Sequence, residues 1–432
     1  MKRKVALVLG IAILMSVLVF NCYAAKVTVT YLDTLPSPER TALMQNIIAK
    51  FEAKNPDIKV EYTSVPWDNA YSKIMTMGAS KTLPDVINSD DSSITSFTSA
   101  KYLASLQRYY NKWSQKGNLT KTTQLADNKF KGQVYVIPDG FMCNGIFVRK
   151  DWVKTLGIDL NTLSKWTWDD YFNLIEKTTD KSKNRYGIAF RGGTNGIMRF
   201  GEYLCSVLQK NAWIDRNGKS IFSNPGAVAE FKKFYGLYTN GYAPKESINW
   251  GFNEMVQGFL NGQCATLNQT PEVTVVTAKS MAEGSWAVLP IPVKKGSKKL
   301  ITTWGYTAGY AISSNSQHKD EAWKFIEFAS SPEINMQYCK ANNMLPIFKD
   351  SLADPYFKSD ALKGYTDQML DPNVVYVTQP RYLKEYGSFC ATFGTQEVQK
   401  YMTGSQSAET TVKNLADFLE NAYKKYKAEG GK

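Results

Sequence analysis

Histidine is almost absent from this 432-residue chain; its one imidazole, His318, sits in Ser316-Gln317-His318-Lys319 just ahead of a helix-like segment. One histidine excludes His-rich metal sites, and no GxSxG, HExxH, Walker or paired CxxC motif occurs. Cysteine is scarce too. Cys22 lies in an N-terminal apolar segment, and Cys143, Cys205, Cys264, Cys339 and Cys390 are scattered without close pairs. That odd, dispersed set is neither a disulfide framework nor a zinc pattern. It reads as buried free thiols in a chain long enough to bury a large core without staples. Internal repeats and low-complexity tracts are lacking, which excludes solenoids and arrays. No basic block of five or more residues appears beyond the loose Lys294-Lys295 and Lys298-Lys299 loop.

What is present begins with an address. Lys2, Arg3 and Lys4 precede an apolar run from Val5 to Phe20 that ends in Asn21-Cys22-Tyr23-Ala24. This is the pattern of a secretory signal peptide, residues 1–24, cleaved after Ala24. The run is shorter than the roughly 20 residues that span a bilayer. The rival assignment makes Cys22 a lipid-modified first residue. It is disfavoured because Val19-Phe20-Asn21 is a poor lipobox and no flexible tether follows. The chain is therefore expected in the periplasmic or extracytoplasmic space, free of an acyl anchor. Its 52 Lys and Arg against 39 Asp and Glu fall to 49 against 39 once Lys2, Arg3 and Lys4 are removed. The excess is interspersed with acids, as in Glu321, Lys324 and Glu327. It marks a solvated surface and not a nucleic-acid site.

Beyond the signal, strand-like and helical runs alternate, which places the chain in the α/β class. Val27 to Tyr31 alternates as a strand. Leu43, Ile47 and Phe51, joined by Met44 and Ile48, mark one face of a helix that stops before Asn55-Pro56. Lys59-Val60-Glu61-Tyr62 and Pro84-Asp85-Val86-Ile87 follow as strands, with Asp68 read as the N-cap of a helix between them. Thr167-Trp168-Asp169-Asp170 has the form of a capping box, and Ala322, Phe325, Ile326 and Ala329 mark a late amphipathic helix. Single domains rarely exceed about 250–300 residues, so two domains are expected. The chain would cross between them near Gln133 to Pro138 and Trp286 to Pro292.

The order of motifs resembles the maltose-binding-protein-like extracellular solute-binding proteins of carbohydrate ABC transporters, family 1. Phe51-Glu52-Ala53-Lys54-Asn55-Pro56-Asp57-Ile58-Lys59-Val60-Glu61-Tyr62 is similar to that family's opening helix and second strand, and Leu83-Pro84-Asp85-Val86-Ile87 to its third. Lys131 to Pro138 followed by Gly145 to Asp151 resembles its first crossover. Phe259 to Ala265, Leu289-Pro290, Trp304-Gly305-Tyr306 and Ala322 to Ile326 follow in the family's order. Val136 and Cys143-Asn144 depart from the usual crossover. Arg191-Gly192-Gly193 and the Pro244 to Glu254 stretch look closest to members that bind sugar alcohols or modest-sized sugars. The resemblance implies a two-lobed periplasmic-binding-protein fold, type II-like, each lobe a mostly parallel sheet flanked by helices, joined by a multi-crossing hinge. The lobes would be 26–139 with 291–331, and 140–290 with 332–432. It implies a monomer without cofactor that delivers a small carbohydrate or polyol to the membrane permease subunits of an ABC transporter.

A sugar offers hydroxyls and apolar C–H faces, so its site needs aromatic platforms beside carboxylates, amides and guanidiniums. Trp304, with Tyr306 behind it, resembles the family's ligand loop and is the first candidate platform. Trp67, ahead of a helix, and Trp250, in an Asn/Gly-rich loop, come next. Asp90 and Asp91 follow the third strand, where ligands of open α/β sheets collect. Asp139 and Phe141 would face the cleft if the family pattern holds. Arg191 offers a bidentate contact and Asn268 both a donor and an acceptor. Core packing, helix capping and surface ion pairing are the competing roles for each. A secreted glycosidase and a surface adhesin are the rival functions. The adjacent Asp90 and Asp91 do not form a pair of carboxylates held across a bond, which counts against the first.

Overall fold

The computed structural model describes residues 26–431 apart from 91, 121–122, 124–127, 161–165, 306–307 and 359–361. The signal segment, Asp91 and Tyr306 therefore lie outside the described residues.

Two sheets organise the molecule. In the first, the strand order is Ile58–Ser64, Val27–Asp33, Val86–Asn88, Gly309–Ile312 and Ile137–Pro138. Val27 pairs with Ile58 and Tyr31 with Val86 in parallel register, whereas Gly309–Ile312 runs antiparallel to both of its neighbours. The helix Pro38–Lys54 covers this sheet because its apolar stripe recurs at helical spacing, burying Met44, Ile47, Ile48 and Phe51. Ser37 caps it by accepting from the Arg40 N–H, and Pro38 supplies a preset first-turn φ.

The second sheet runs Trp286–Leu289, Gly145–Arg149, Cys264–Gln269 and Tyr186–Ile188. Only the Cys264–Gln269 and Tyr186–Ile188 pair is parallel. The sheets are thus mixed and not mostly parallel as expected. Strands that arrive from the other half, Gly309–Ile312 and Gly145–Arg149, run reversed against their neighbours. The helix Trp168–Thr178 opens on the expected capping box, Thr167 with Asp170. The helix Ala408–Ala428 packs on Ala227–Thr239 and Gly394–Met402 over this half. All five cysteines of the described chain are buried thiols outside any disulfide.

Short segments connect the halves. Met142–Cys143 pairs antiparallel with Trp304–Gly305, and Leu300–Thr302 pairs in parallel with Val374–Tyr376. Glu202, buried in the helix Ile197–Leu208, ties them together. Its carboxylate accepts from Asn144 Nδ2 (2.8 Å), the Thr303 N–H (2.8 Å) and the Thr302 hydroxyl (2.9 Å). One boundary moves from its expected place. The helix Pro332–Ala341 packs on Pro38–Lys54, and its Asn335 and Tyr338 bond to Asp139, so it lies with the first sheet.

Candidate functional site

A cavity of about 120 Å³ lies between the two sheets. The first half supplies Leu35, after the strand Val27–Asp33; Trp67, opening the helix Trp67–Ala79; and Asp90, just past Val86–Asn88. The second supplies Arg191, Asn195 and Arg199 around the start of the helix Ile197–Leu208, and Phe252, Gln269 and Glu272. Hinge and C-terminal residues Thr303, Gln379 and Arg381 complete the lining. A second, more apolar cavity of about 260 Å³ shares Leu35, Trp67, Met142, Phe252 and Glu272 with the first. Strand ends and helix N-termini converge here because side chains beyond the last strand residue are not needed to cover the sheet.

The chemistry is a mixture of guanidiniums and partly dried carboxylates. Asp90 Oδ1 accepts from the Ser92 N–H at 2.8 Å, and burial pushes the Asp90 carboxyl up. Burial also pushes Glu272 up and pulls Arg199 down to about 10. Arg381 donates to Gln379 Oε1 at 2.9 and 3.1 Å.

Asp68 is not the helix cap expected of it; Pro66 occupies that position and Asp68 sits in the first turn. Its carboxylate instead reaches the other half, accepting from Arg191 Nη2 at 2.6 Å and from the Phe252 N–H at 2.7 Å. A Cβ on Gly251 would lie 2.1 Å from Asp68 Oδ2, so the pair fits only because residue 251 has no side chain. A second such seat lies nearby. Ser96 Oγ donates to the Lys384 carbonyl at 2.6 Å, and a Cβ on Gly387 would come within 2.6 Å of the Tyr71 ring.

Of the residues singled out from the sequence, Trp67, Asp90 and Arg191 meet in the cleft. Arg191 is largely engaged, however, by Asp68 and by the Thr194 carbonyl at 2.8 Å. Asp139 does not face the cleft. It is buried, accepting from Arg40 Nη2 (3.3 Å) and the Tyr338 hydroxyl (3.0 Å), because a buried guanidinium draws carboxylates inward. Phe141 is a core residue whose backbone pairs with Leu345. Trp250 is buried with its ring against Gly258, where a Cβ would lie 2.7 Å away, so it serves packing. Asn268 is displaced to a small internal cavity of about 30 Å³ behind Arg199. Trp304 pairs with Cys143 through its backbone, and its side chain is outside the described atoms. Arg199, Gln269, Glu272, Gln379 and Arg381 were not singled out. Only Gln269 and Glu272 carried a local signal, as polar residues at and just past the end of a strand.

The model of the bacterial extracellular solute-binding proteins matches residues 36–336. The chain belongs to this family. The multiple sugar-binding protein of Streptococcus mutans is 26% identical over 370 residues, covering 78% of this chain and 80% of its own length. A solute-binding protein from Thermotoga lettingae, solved with α-D-tagatose, superposes with TM-score 0.80 at 18% identity over 92% of this chain and all of its own. One from Agrobacterium vitis with bound D-mannitol gives TM-score 0.75 at 22% identity, covering 92% and 98%. The fold of this solute-binding protein is thus the two-lobed one, and the cavity lies between its lobes.

Proposed function

We propose that the chain captures a sugar or sugar alcohol outside the cytoplasmic membrane and hands it, by closure of its two lobes, to the permease subunits of an ABC transporter. The observation that carries this reading is the cleft itself. Trp67 and Asp90 of one lobe stand opposite Arg199, Gln269 and Glu272 of the other, an aromatic face beside hydroxyl-binding groups. The lobes are taken as 26–139 with 291–331, and 140–290 with 332–432, with the helix Pro332–Ala341 transferred to the first. The protein acts as a monomer and performs no turnover. Ligand favours the closed form because only there do both lobes touch it, and it shifts the balance by that difference in affinity alone. Calorimetry and small-angle scattering with D-mannitol, ribitol, D-tagatose and maltose test the proposal. Saturable binding with a smaller radius of gyration is expected; saturation without compaction counts against closure.

Trp67 lines both cavities and is half-buried. As the stacking face, its loss in Trp67→Ala is expected to weaken binding by more than about 1 kcal/mol. The ligand-free melting temperature should hardly move. A large fall in that temperature with affinity spared would make it a packing residue. Export is expected to remove residues 1–24 and to leave no acyl chain. The intact mass of the secreted form checks this, and a diacylated Cys22 would refute it.

A further inference from the structure

Two charged residues of the cleft are left with a polar atom unmet. Arg199 gives an Nη2–H to Gln269 Oε1 at 3.2 Å, while its Nε–H is buried without a partner among the described residues. Glu272, at the N-cap of the helix Val273–Ser280, accepts from the Thr270 hydroxyl at Oε1 (2.5 Å), while Oε2 is buried without a partner. Both line the same 120 Å³ cavity. An unmet buried donor and an unmet buried acceptor are each a standing cost. A ligand that completes both removes it.

Charge decides what kind of ligand that is. The cavity lining carries three guanidiniums, Arg191, Arg199 and Arg381, and two carboxylates, Asp90 and Glu272. Asp68 neutralises Arg191 from the side, so cations and anions balance. An incoming acid would meet two poorly solvated carboxylates with no uncommitted excess of positive charge. A hydroxyl, by contrast, both donates and accepts. We infer that the cleft selects a neutral sugar or polyol over the corresponding acid, and that Arg199 and Glu272 read adjacent ligand hydroxyls. One hydroxyl donates to Glu272 Oε2 and its neighbour accepts from Arg199. This names the ligand class within the solute-capture reading and rests on it. Arg199 also borders the 30 Å³ cavity, where Asn268 Oδ1 is likewise unmet. A water seated there would make Arg199 a structural residue, and the test separates the two roles.

Calorimetry on the full mature chain compares D-mannitol, ribitol, D-tagatose and maltose with D-gluconate, D-glucuronate and D-galacturonate. The tightest neutral probe is then titrated into Glu272→Gln and Arg199→Met. The acids are expected to bind at least about tenfold more weakly than that probe. Each variant should lose about 10- to 100-fold in affinity, as for a hydrogen bond to a charged group, at an unchanged ligand-free melting temperature. An acid that binds as tightly as the best neutral probe overturns the inference and leaves solute capture standing. So does Glu272→Gln binding within twofold of the parent, or Arg199→Met that loses stability while keeping affinity. If no probe of either class binds, the solute-capture reading fails first, and the inference falls with it.

Discussion

Gly251→Ala is expected to leave the protein folded and unable to close. The Gly251 backbone, φ −93° and ψ −150°, is extended, so alanine meets no intrinsic penalty there. The obstacle comes from the other lobe. The new methyl carbon would lie 2.1 Å from Asp68 Oδ2 and 2.5 Å from its Cγ, well inside contact distance. Asp68 cannot retreat without giving up the Arg191 and Phe252 hydrogen bonds, each charge-assisted and contributing about 1.5–3 kcal/mol. Because the ion pair is shielded, with side-chain exposures of 20% and 7%, salt does little to replace it. Apparent affinity scales with the fraction of molecules able to adopt the binding-competent form. A closed population lowered by the loss of both bonds therefore predicts at least about a hundredfold weaker ligand binding. Scattering should show no ligand-induced compaction, while the ligand-free melting temperature stays near that of the parent. Because Asp68→Ala removes the same two bonds, adding it to Gly251→Ala should weaken binding little further. Parent-like compaction in Gly251→Ala would show that the Asp68 seat does not govern closure.

That seat also explains why the sequence exposed some of the site and hid the rest. Local patterns were legible. The apolar stripe of Pro38–Lys54 and the capping box at Thr167 and Asp170 are specified within a few residues, and both formed as read. Trp67 and Asp90 were reachable because both follow strands of the first sheet. Arg191 was recognisable as a candidate contact, but its partner Asp68 lies 123 positions away, and nothing local to either residue announces the other. Asp139 and Trp250 failed for the same reason in reverse. Arg40, 99 residues upstream, draws Asp139 inside, and the close approach of Gly258 makes a socket for the Trp250 ring. Arg199 stands in a mostly apolar helix that also carries Glu202, where an arginine looks like a solvent-facing position. Only the approach of Gln269 and Glu272 from the neighbouring strand end turns it into a site residue.

Arg40→Met is expected to cause the largest loss of stability, and the loss should depend on pH. The Arg40 guanidinium is buried between Asp33, at 3.2 Å from Nε, and Asp139, at 3.3 Å from Nη2, and it lies 4.9 Å over the Tyr338 ring. Asp33 is further held by the Tyr62 hydroxyl (3.0 Å) and the Leu35 N–H (3.0 Å). The cluster joins the end of the strand Val27–Asp33, the first crossing at Asp139 and the helix Pro332–Ala341, so it fixes the base of the hinge. Two carboxylates share one cation, and Asp139 Oδ1 has no partner among the described residues. Desolvation, only partly offset by Arg40, pushes the Asp139 carboxyl up to about 7. A carboxyl whose folded pKa is raised contributes stability that is fully present below its unfolded value of about 3.9 and is lost as pH rises through about 7. Removing Arg40 strands both carboxylates without their cation, a change that costs about 3–5 kcal/mol for a buried pair. It also raises the Asp139 pKa further, since the cation that favoured its ionisation is gone. The deficit of Arg40→Met against the parent should therefore be greatest near pH 8 and shrink towards pH 5, where protonation relieves the stranded charges. Urea unfolding at several pH values measures it. A deficit below about 1 kcal/mol, or one that is flat across that range, would show that the cluster does not hold the fold through its charge.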